Sequence, residues 1–457
     1  MIWSAKTLGE ALNINIDYEI SCGPVQFNSQ NIQKGDLFIA IKGNGDGHDY
    51  VIDALDRGAS IVIISRDIKD VPSNKKIIVD DTFLALQQMA EYKRNISKAK
   101  FIAITGSVGK TSTKEATKVV LSSFGKTFAS RGNFNNYLGV PLNLASMPDD
   151  IEYAIIELGM NHEGEIRSLT KIVKPDIAVI TWVSEAHLEY FNSVQDIADA
   201  KSEIFEGLQK GGIAIINIDN KYYGRIMFNL ERLNIPNKSI YTFGKREGAD
   251  SRLKLYENLG AKVHLVFEVK TKAIDLQLPF IAEHYVRNYA SVLMVASVLN
   301  LDLIKASSQL DKVELMDGRG KIINAVLGEK KYQIICDYYN ANPASFTASL
   351  EYFKQIKNPR KVAIIGDMLE LGETAPILHK NLVPLIIDSG AKKVFLVGTN
   401  VRHIHESLPE NIHSIHFLNV DSLLSELDSL IEDDELILIK GSRRMALDKV
   451  VKHFTVA

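Results

Sequence analysis

A strand that runs directly into a glycine-bearing turn and then into a helix constrains this chain most strongly. In "AKFIAITGSVGKTSTKEATKVVLSSFG" the apolar residues 101–104 precede the turn, and a helix-like segment follows it. Backbone N–H groups of such a turn and the N-terminus of the helix attract phosphate, a lysine adds charge, and a threonine hydroxyl is placed for Mg²⁺. The stretch therefore predicts a nucleotide site formed by Gly106, Ser107, Val108, Gly109, Lys110, Thr111 and Ser112.

The spacing of this loop departs from the usual phosphate-loop pattern. G-x-x-x-x-G-K-[ST] requires a glycine six positions before the lysine, where this chain has Ile104. Two later strand candidates support a true site. Glu157 lies at the carboxyl end of the strand in "EYAIIELG", and His187 shortly follows "DIAVITWV". The carboxyl ends of parallel strands share one sheet edge, so these side chains should converge with the loop. A single acid after a strand is often a helix cap or a surface charge, but three such groups together favour a metal–phosphate site.

The alternation of β-branched runs with helix-length segments predicts an α/β chain of three domains. At 457 residues the chain exceeds the size at which a single core stops growing. We expect a small N-terminal α/β domain (1–97), a central parallel-sheet domain like that of phosphate-loop ATPases (98–313) and a C-terminal Rossmann-like domain (314–457). The third block carries "YQIICDYY", "KVAIIGDM", "KVFLVGT" and "ELILIKG" as strand candidates.

Composition excludes several classes of protein. A net charge of −3 offers no basic face for nucleic acid. Cys22 and Cys336 are the only cysteines, so neither a disulfide framework nor a Cys-x-x-Cys metal cluster is available. The N-terminus lacks a signal pattern, and no apolar run approaches the roughly 20 residues that cross a bilayer. We expect a cytoplasmic protein that is not inserted in a membrane and acts on small substrates.

Five stretches together resemble the Mur ligase family, the ATP-dependent amide-forming enzymes of peptidoglycan precursor synthesis. They are "TGSVGKTSTKE", "NFNNYLGVPL", "DYYNANPAS", "GDMLELGE" and "IKGSRRMALD". The resemblance spans essentially the whole chain and explains the short loop, because the family lacks the distant first glycine. It implies ATP-dependent joining of D-alanyl-D-alanine to UDP-MurNAc-tripeptide through an acyl phosphate, by an enzyme expected to be a monomer.

The resemblance also implies roles for individual residues. Thr111, Glu157, His187 and Lys201 fall on the positions that hold two Mg²⁺ ions in the family, with Lys201 N-carbamylated. From chemistry alone Lys201 would be an ordinary solvated lysine. Catalytic roles are implied for Lys110, His187, Lys201 and Arg319. Nucleotide contacts are implied for His284, Asn288, Arg319 and Asp337, and substrate contacts for Ser29, Lys42, His48, Asn135, Asn136, Asn340 and Asn342.

Two motifs depart from the family pattern. "AEHYVRN" keeps His284 and Asn288 but has Ala282 and Tyr285 where glycine and asparagine are usual. "NSQ" keeps Ser29 but has Asn28 and Gln30 in place of aspartate and arginine. The resemblance therefore does not assign the residues that contact adenine and the uridine diphosphate.

Other activities remain compatible with the same residues. A sibling ligase that adds one amino acid, or a folylpolyglutamate-type relative, would share the loop and the metal positions. A nucleotide-operated regulatory protein and a simple kinase are alternatives from other classes. "DYYNANP" favours the dipeptide ligase among these.

Overall fold

A computed structural model describes residues 2–43 and 45–455 of the chain. The N-terminal part contains a parallel four-stranded sheet of order β3-β4-β5-β6 and a separate antiparallel pair, β1 and β2. Its strands are β1 (Trp3–Ser4), β2 (Ser21–Cys22), β3 (Val25–Gln26), β4 (Leu37–Ile39), β5 (Ile61–Ile64) and β6 (Lys76–Ile78), and its helices are α1 (Ala5–Leu12), α2 (Val51–Asp56) and α3 (Thr82–Ile96).

The central part is built on a nine-stranded sheet of order β15-β14-β13-β12-β11-β10-β7-β9-β8. Its strands are β7 (Lys100–Thr105), β8 (Thr127–Ala129), β9 (Tyr153–Glu157), β10 (Ile177–Ile180), β11 (Ile213–Asn217), β12 (Ile240–Gly244), β13 (Ser251–Asn258), β14 (Lys262–Val269) and β15 (Lys272–Pro279). Its helices are α4 (Lys110–Ser122), α5 (Gly139–Ala145), α6 (Glu165–Val173), α7 (Val194–Ser202), α8 (Tyr223–Arg232), α9 (Glu283–Val298) and α10 (Leu303–Ser307).

Strands β13 to β15 add an antiparallel extension that the sequence did not predict. Their residues alternate between buried and more exposed positions, as in β14, where every second side chain is buried. Such one-sided strands lack the continuous apolar run of a strand covered on both faces, so they carry a weaker signal. The strands that carry the loop and the acids are all in the parallel part.

The C-terminal part has a six-stranded sheet of order β16-β17-β21-β18-β19-β20, parallel except for β16. Its strands are β16 (Lys321–Leu327), β17 (Lys330–Asp337), β18 (Lys361–Gly366), β19 (Lys393–Val397), β20 (His413–Phe417) and β21 (Glu435–Lys440). Its helices are α11 (Pro343–Gln355), α12 (Ala375–Lys380), α13 (Val383–Asp388), α14 (Arg402–His405), α15 (Val420–Leu430) and α16 (Asp448–Thr455). The α/β architecture with three principal sheets is as predicted.

The central and C-terminal parts pack against each other through aromatic side chains. Phe280 and Tyr352 stack with their ring centroids 5.5 Å apart, and Tyr285 and Phe346 belong to the same buried cluster. The predicted boundaries at 98 and 314 fall in the connections between α3 and β7 and between α10 and β16. Both cysteines are buried and free. Within the described ranges, no helix has the length and apolar composition needed to cross a bilayer.

Candidate active site

Glycine is required at two positions of the loop between β7 and α4. Gly106 has φ 153°, and a Cβ there would lie 2.0 Å from Thr181 Oγ1. Gly109 has φ 86°, and a Cβ there would lie 2.9 Å from Asn288 Nδ2. The loop is anchored to the strand beside it, because Thr181 Oγ1 donates to Val108 O at 2.6 Å. Close packing and a left-handed turn thus fix the loop.

Ile104, at the position of the missing glycine, lies inside β7. It is fully buried and pairs with Val179 on β10 and Glu157 on β9. The turn begins only after Thr105, so the short spacing reflects a loop that starts later. Helix α4 begins at Lys110, and no side chain among the described residues caps its N-terminus. Its first N–H groups are therefore available to an anion.

Lys110 sits at the centre of the loop. Its Nζ donates to Gly106 O at 2.7 Å. Burial lowers the pKa of Lys110, and the nearby charge of Arg319 lowers it further, whereas Glu157 opposes the shift. A bound phosphate group would relieve the repulsion between these two cations. The arrangement is suited to a polyanionic ligand.

Glu157 is buried and only partly satisfied. Asn135 Nδ2 donates to its Oε1 at 2.8 Å, while Oε2 has no hydrogen-bond partner among the described residues. A buried carboxylate oxygen without a donor is costly unless a cation binds it. Thr111, which is also buried, lies in the same cleft. Glu157 and Thr111 therefore fit a Mg²⁺ ion.

His187 and Lys201 complete the predicted metal set. His187 Nδ1 lies 2.7 Å from Glu370 Oε2 of the C-terminal part. Burial lowers the pKa of His187, the charges of Lys201 and Lys110 lower it further, and Glu370 opposes them. Lys201 on α7 is 1% exposed, and burial followed by the charge of Lys110 holds its pKa well below the usual value.

The unmodified Lys201 does not fit a cation, since an amine beside Lys110 brings no negative charge. In the described part of the chain, no three His, Cys, Asp or Glu side chains form a ready cation site. A neutral, buried amine is the form that reacts with CO₂.

The opposite wall of the cleft comes from α9 and the C-terminal part. Tyr285 Oη donates to Arg319 O at 2.5 Å, and the Arg319 guanidinium lies 4.3 Å from the Tyr339 ring centroid. Lys440 Nζ donates to Asp337 Oδ2 at 2.7 Å. The His284 ring reaches the cleft, yet surrounding protein atoms lower its pKa to about 4.

These two walls enclose a cleft of about 690 Å³. Ser107, Val108, Gly109, Lys110, Thr111, Ser112, Asn135, Asn136, Glu157, His187, His284, Asn288, Arg319, Asp337, Asn340 and Asn342 line it. The structure therefore gathers sixteen predicted residues from two domains around one space. Gly106 and Lys201 lie beneath its surface.

Several of the predicted substrate contacts also have structural duties. Asn342 Oδ1 accepts a hydrogen bond from Ser345 N at 2.8 Å and caps α11. Asn136 Oδ1 accepts one from Gly139 N at 2.9 Å at the start of α5. Asn340 is exposed, and its backbone oxygen accepts a hydrogen bond from Lys440. The Asn340 Oδ1 accepts a hydrogen bond from Ala341 N at 2.9 Å, so both amide oxygens have partners, and Asn340 differs from the buried Asn342 in its exposure.

The three predicted contacts of the N-terminal domain lie outside the main cleft. His48 is buried; its Nδ1 lies 2.6 Å from Asp46 Oδ1, and its Nε2 accepts a hydrogen bond from Ser65 N. Ser29 is also buried, and the backbones of Lys42 and Asp46 form an isolated antiparallel bridge. The geometry of His48 is that of a loop-holding residue.

A second cavity of about 510 Å³ lies between the N-terminal sheet and the central domain. The two sequence departures Asn28 and Gln30 line it, and Arg131 and Phe134 face them from the central domain. No local pattern in the sequence singled out Arg131, Glu370 or Lys440, because each meets residues that are far away along the chain. "GDMLELGE" and "IKGSRRMALD" marked the segments of Glu370 and Lys440 without assigning these residues.

Three family models match consecutive parts of the chain. They are described as "Mur ligase family, catalytic domain" for residues 24–94, "Mur ligase middle domain" for residues 104–296 and "Mur ligase, glutamate ligase domain" for residues 318–443.

Among curated proteins, the UDP-N-acetylmuramoyl-tripeptide–D-alanyl-D-alanine ligase of Rickettsia prowazekii is 52% identical over 454 residues, which cover 99% of this chain and 100% of that protein. The Escherichia coli protein of the same name is 33% identical, covering 95% and 94%.

Solved structures agree with these sequence matches. MurF from Acinetobacter baumannii superposes with a TM-score of 0.85 at 29% identity and covers 100% of this chain and 99% of its own. MurF ligase from Thermotoga maritima in complex with ADP has a TM-score of 0.77 at 26% identity, covering 94% and 97%. The loop, the two-walled cleft and these full-length similarities establish that the chain belongs to the Mur ligase family.

Proposed function

We propose that this chain joins D-alanyl-D-alanine to UDP-N-acetylmuramoyl-tripeptide with hydrolysis of ATP to ADP and phosphate, in the cytoplasm and as a monomer. The relatives named above carry this activity in their names. The single observation that supports it best is the cleft, which joins a phosphate loop to polar groups of a second domain. Its volume of about 690 Å³ can hold a nucleotide and the reacting ends of two peptides.

The reaction needs an activated carboxylate, because amide formation from a free carboxylate and an amine is uphill in water. An oxygen of the tripeptide carboxylate attacks the γ-phosphorus of ATP, giving an acyl phosphate and ADP. The amine of the dipeptide then attacks the acyl carbon, and phosphate leaves as the amide forms and the amine proton is released. Phosphoryl transfer of this kind relies on positioning and charge neutralisation.

Residues of both walls provide that neutralisation. Lys110 and the N–H groups of the loop face the phosphates from the central domain, and Arg319 faces Lys110 closely enough to influence its pKa. His284, Asn288 and Asp337 line the same cleft, and we propose that they contact the rest of the nucleotide. Closure of the two domains would exclude water from the acyl phosphate.

We assign the Mg²⁺ ligands to Thr111, Glu157, His187 and carbamylated Lys201, with two ions as the family resemblance implies. Bound Mg²⁺ would neutralise phosphate charge during the transfer. The free Oε2 of Glu157 supports one such position. The neutral tendency of the Lys201 amine supports carbamylation.

The second cavity is our candidate for the UDP-sugar. The cation Arg131 lines it, and Phe27 and Phe134 meet there edge to face with ring centroids 6.0 Å apart. A guanidinium beside amide side chains suits a diphosphate and a uracil ring. We keep Ser29, Lys42 and His48 as proposed substrate contacts of the N-terminal domain, which we assign to residues 1–97, followed by domains 98–313 and 314–457.

A phosphate-release assay with purified protein tests the proposal. Release should require ATP, UDP-MurNAc-tripeptide and D-alanyl-D-alanine together, and single amino acids should not replace the dipeptide. Activity with one amino acid would indicate a sibling ligase. Hydroxylamine should trap the acyl phosphate, whereas a stable phosphorylated product would indicate a kinase.

A pair of lysine variants separates an enzyme from a nucleotide-binding scaffold. Lys110→Ala should lower the ligation rate by about 10²–10³-fold, the usual effect of losing one group that stabilises transition-state charge. Lys118→Ala, on the exposed side of the same helix, is the matched control and should retain full activity. Equal activity of the two variants would contradict a role of the loop in catalysis.

A further inference from the structure

One carboxylate of the C-terminal domain reaches a predicted metal ligand of the central domain. Glu370 Oε2 lies 2.7 Å from His187 Nδ1, and the backbone N–H of Glu189 donates to Glu370 O at 3.1 Å. Arg444 approaches the other carboxylate oxygen of Glu370 at 3.5 Å. The contact therefore combines a side-chain bond and a backbone bond between two domains.

Both partners adopt an unusual backbone conformation. His187 has φ 60° and Glu370 has φ 63°, in the left-handed region that residues with a Cβ seldom occupy. Such a conformation is unfavourable for a residue with a Cβ and persists where the surrounding structure requires it. Here it turns two side chains from separate loops towards each other. An incidental surface pair would not need this at both ends.

The bond also determines which nitrogen of His187 is free. A carboxylate accepts a hydrogen bond, so Nδ1 carries the proton and the lone pair of Nε2 remains available. A carboxylate behind an imidazole fixes the ring and raises its strength as a ligand in many metal sites. His187 is only 20% exposed and Glu370 29%, so solvent screens this bond less than a surface ion pair.

We propose that Glu370 is a positioning residue that orients His187, and that it does so only while the C-terminal domain is docked on the central domain. The orientation of the His187 ring for metal binding would then depend on domain closure, because His187 and its orienting carboxylate belong to different domains. This inference rests on the proposed function, since it assigns His187 to the ligation site. It adds a residue from the "GDMLELGE" segment that the mechanism above does not use.

Glu370→Gln tests the proposal with little change in side-chain size. Loss of an orienting carboxylate typically lowers metal affinity or activity by about 10–100-fold. We expect kcat to fall within that range while KM for ATP and for the dipeptide changes by less than about threefold. Glu370→Asp should recover part of the loss. Glu373→Gln, an exposed carboxylate in the same loop, is the matched control and should behave as the wild type.

Two readouts do not depend on ligation. Mn²⁺ binding to the ADP-loaded protein, measured by electron paramagnetic resonance, should weaken about tenfold in Glu370→Gln and remain unchanged in Glu373→Gln. Small-angle X-ray scattering should give the same profile for both variants and the wild type. Unchanged Mn²⁺ affinity and kcat would overturn the proposal. An opened scattering profile with a raised KM and unchanged kcat would overturn it too, showing only a clasp between domains.

Failure of this inference is distinguishable from failure of the proposed function. If the wild-type protein forms no ligated product, the proposed function fails. The Mn²⁺ measurement still decides in that case whether Glu370 orients His187.

Discussion

Tyr285, on the central helix α9, donates a 2.5 Å hydrogen bond to the backbone carbonyl of Arg319 at the entrance to the C-terminal domain. A Cβ on Gly320 would stand 2.6 Å from the same hydroxyl, so glycine leaves room for it. The tyrosine places a fixed point at the connection between two domains, next to the arginine that faces Lys110.

Removing this hydroxyl should loosen the position of Arg319. Tyr285→Phe leaves the Arg319 carbonyl without its partner, which should cost about 1 kcal/mol and lower kcat/KM for ATP about fivefold. Steady-state kinetics would measure the effect. Tyr289→Phe, one turn further along the helix, is the control because burial raises the pKa of Tyr289 and no hydrogen bond from the described residues contributes to that shift. An equal fall of kcat/KM in the two variants would show that the loss of any buried hydroxyl on α9 lowers activity, and that the bond to Arg319 has no special role.

Gly109→Ala should weaken nucleotide binding by the loop more than the cost of its left-handed backbone angle alone would predict. A left-handed alanine costs roughly 1 kcal/mol, and here the new Cβ also meets Asn288 at 2.9 Å. Gly211→Ala is the matched control, because it has φ 80° and open space around it. We expect ADP affinity, measured calorimetrically, to fall at least tenfold in Gly109→Ala and to be unchanged in Gly211→Ala. Wild-type affinity in Gly109→Ala would argue against the assigned loop.

His284 should remain neutral at pH values where an ordinary histidine is protonated. Burial lowers its pKa from 6.5 to about 4. As the pH falls, His284 of the unfolded chain therefore binds a proton before His284 of the folded protein does. The contribution of neutral His284 to the free energy of unfolding is complete above pH 6.5 and is lost between pH 6.5 and 4. The free energy of unfolding falls by about 3 kcal/mol in total over this pH range.

NMR of ¹³C-labelled histidine would check this shift. The His284 signal should not titrate between pH 8 and 5.5, whereas that of His264, whose pKa a hydrogen bond to Asp275 raises, should titrate above 6.5. A His284 midpoint near 6.5 would contradict the closely packed cleft wall.

Lys201 should accept CO₂. Burial and the charge of Lys110 favour its neutral amine, which attacks the carbon of CO₂ and releases one proton as the carbamate forms. Protein exchanged into CO₂-free buffer should lose most of its ligation activity and regain it with bicarbonate. With ¹³C-bicarbonate, the wild type should show a carbamate carbon signal that Lys201→Arg lacks. Its absence from an active wild-type enzyme would exclude the modification.

Local patterns in the sequence predicted the loop and the edge of the sheet. Glu157 ends a strand, and Lys110 and His187 follow strands whose apolar runs are continuous. The parallel sheet brings those strand ends together. The antiparallel strands β13–β15 were not predicted, because strands that are buried on one side lack a continuous apolar run.

Contacts between domains were beyond the reach of the sequence. The bonds from Tyr285 to Arg319 and from His187 to Glu370 join residues 34 and 183 positions apart. No local pattern encodes such a pair, because it depends on how two folded domains meet. The "GDMLELGE" segment marked the region of Glu370, and the structure identified His187 as its partner.

The most direct test of the proposed ligation is the stoichiometry of one complete reaction by the wild-type protein. Phosphate release and the mass of the UDP-linked product should be followed together with ATP, UDP-MurNAc-tripeptide and D-alanyl-D-alanine. We predict one phosphate and one ADP for each product whose mass increases by one D-alanyl-D-alanine residue, and no release without the dipeptide. Phosphate release that ignores the dipeptide, or a product that carries phosphate in place of the dipeptide, would contradict the account.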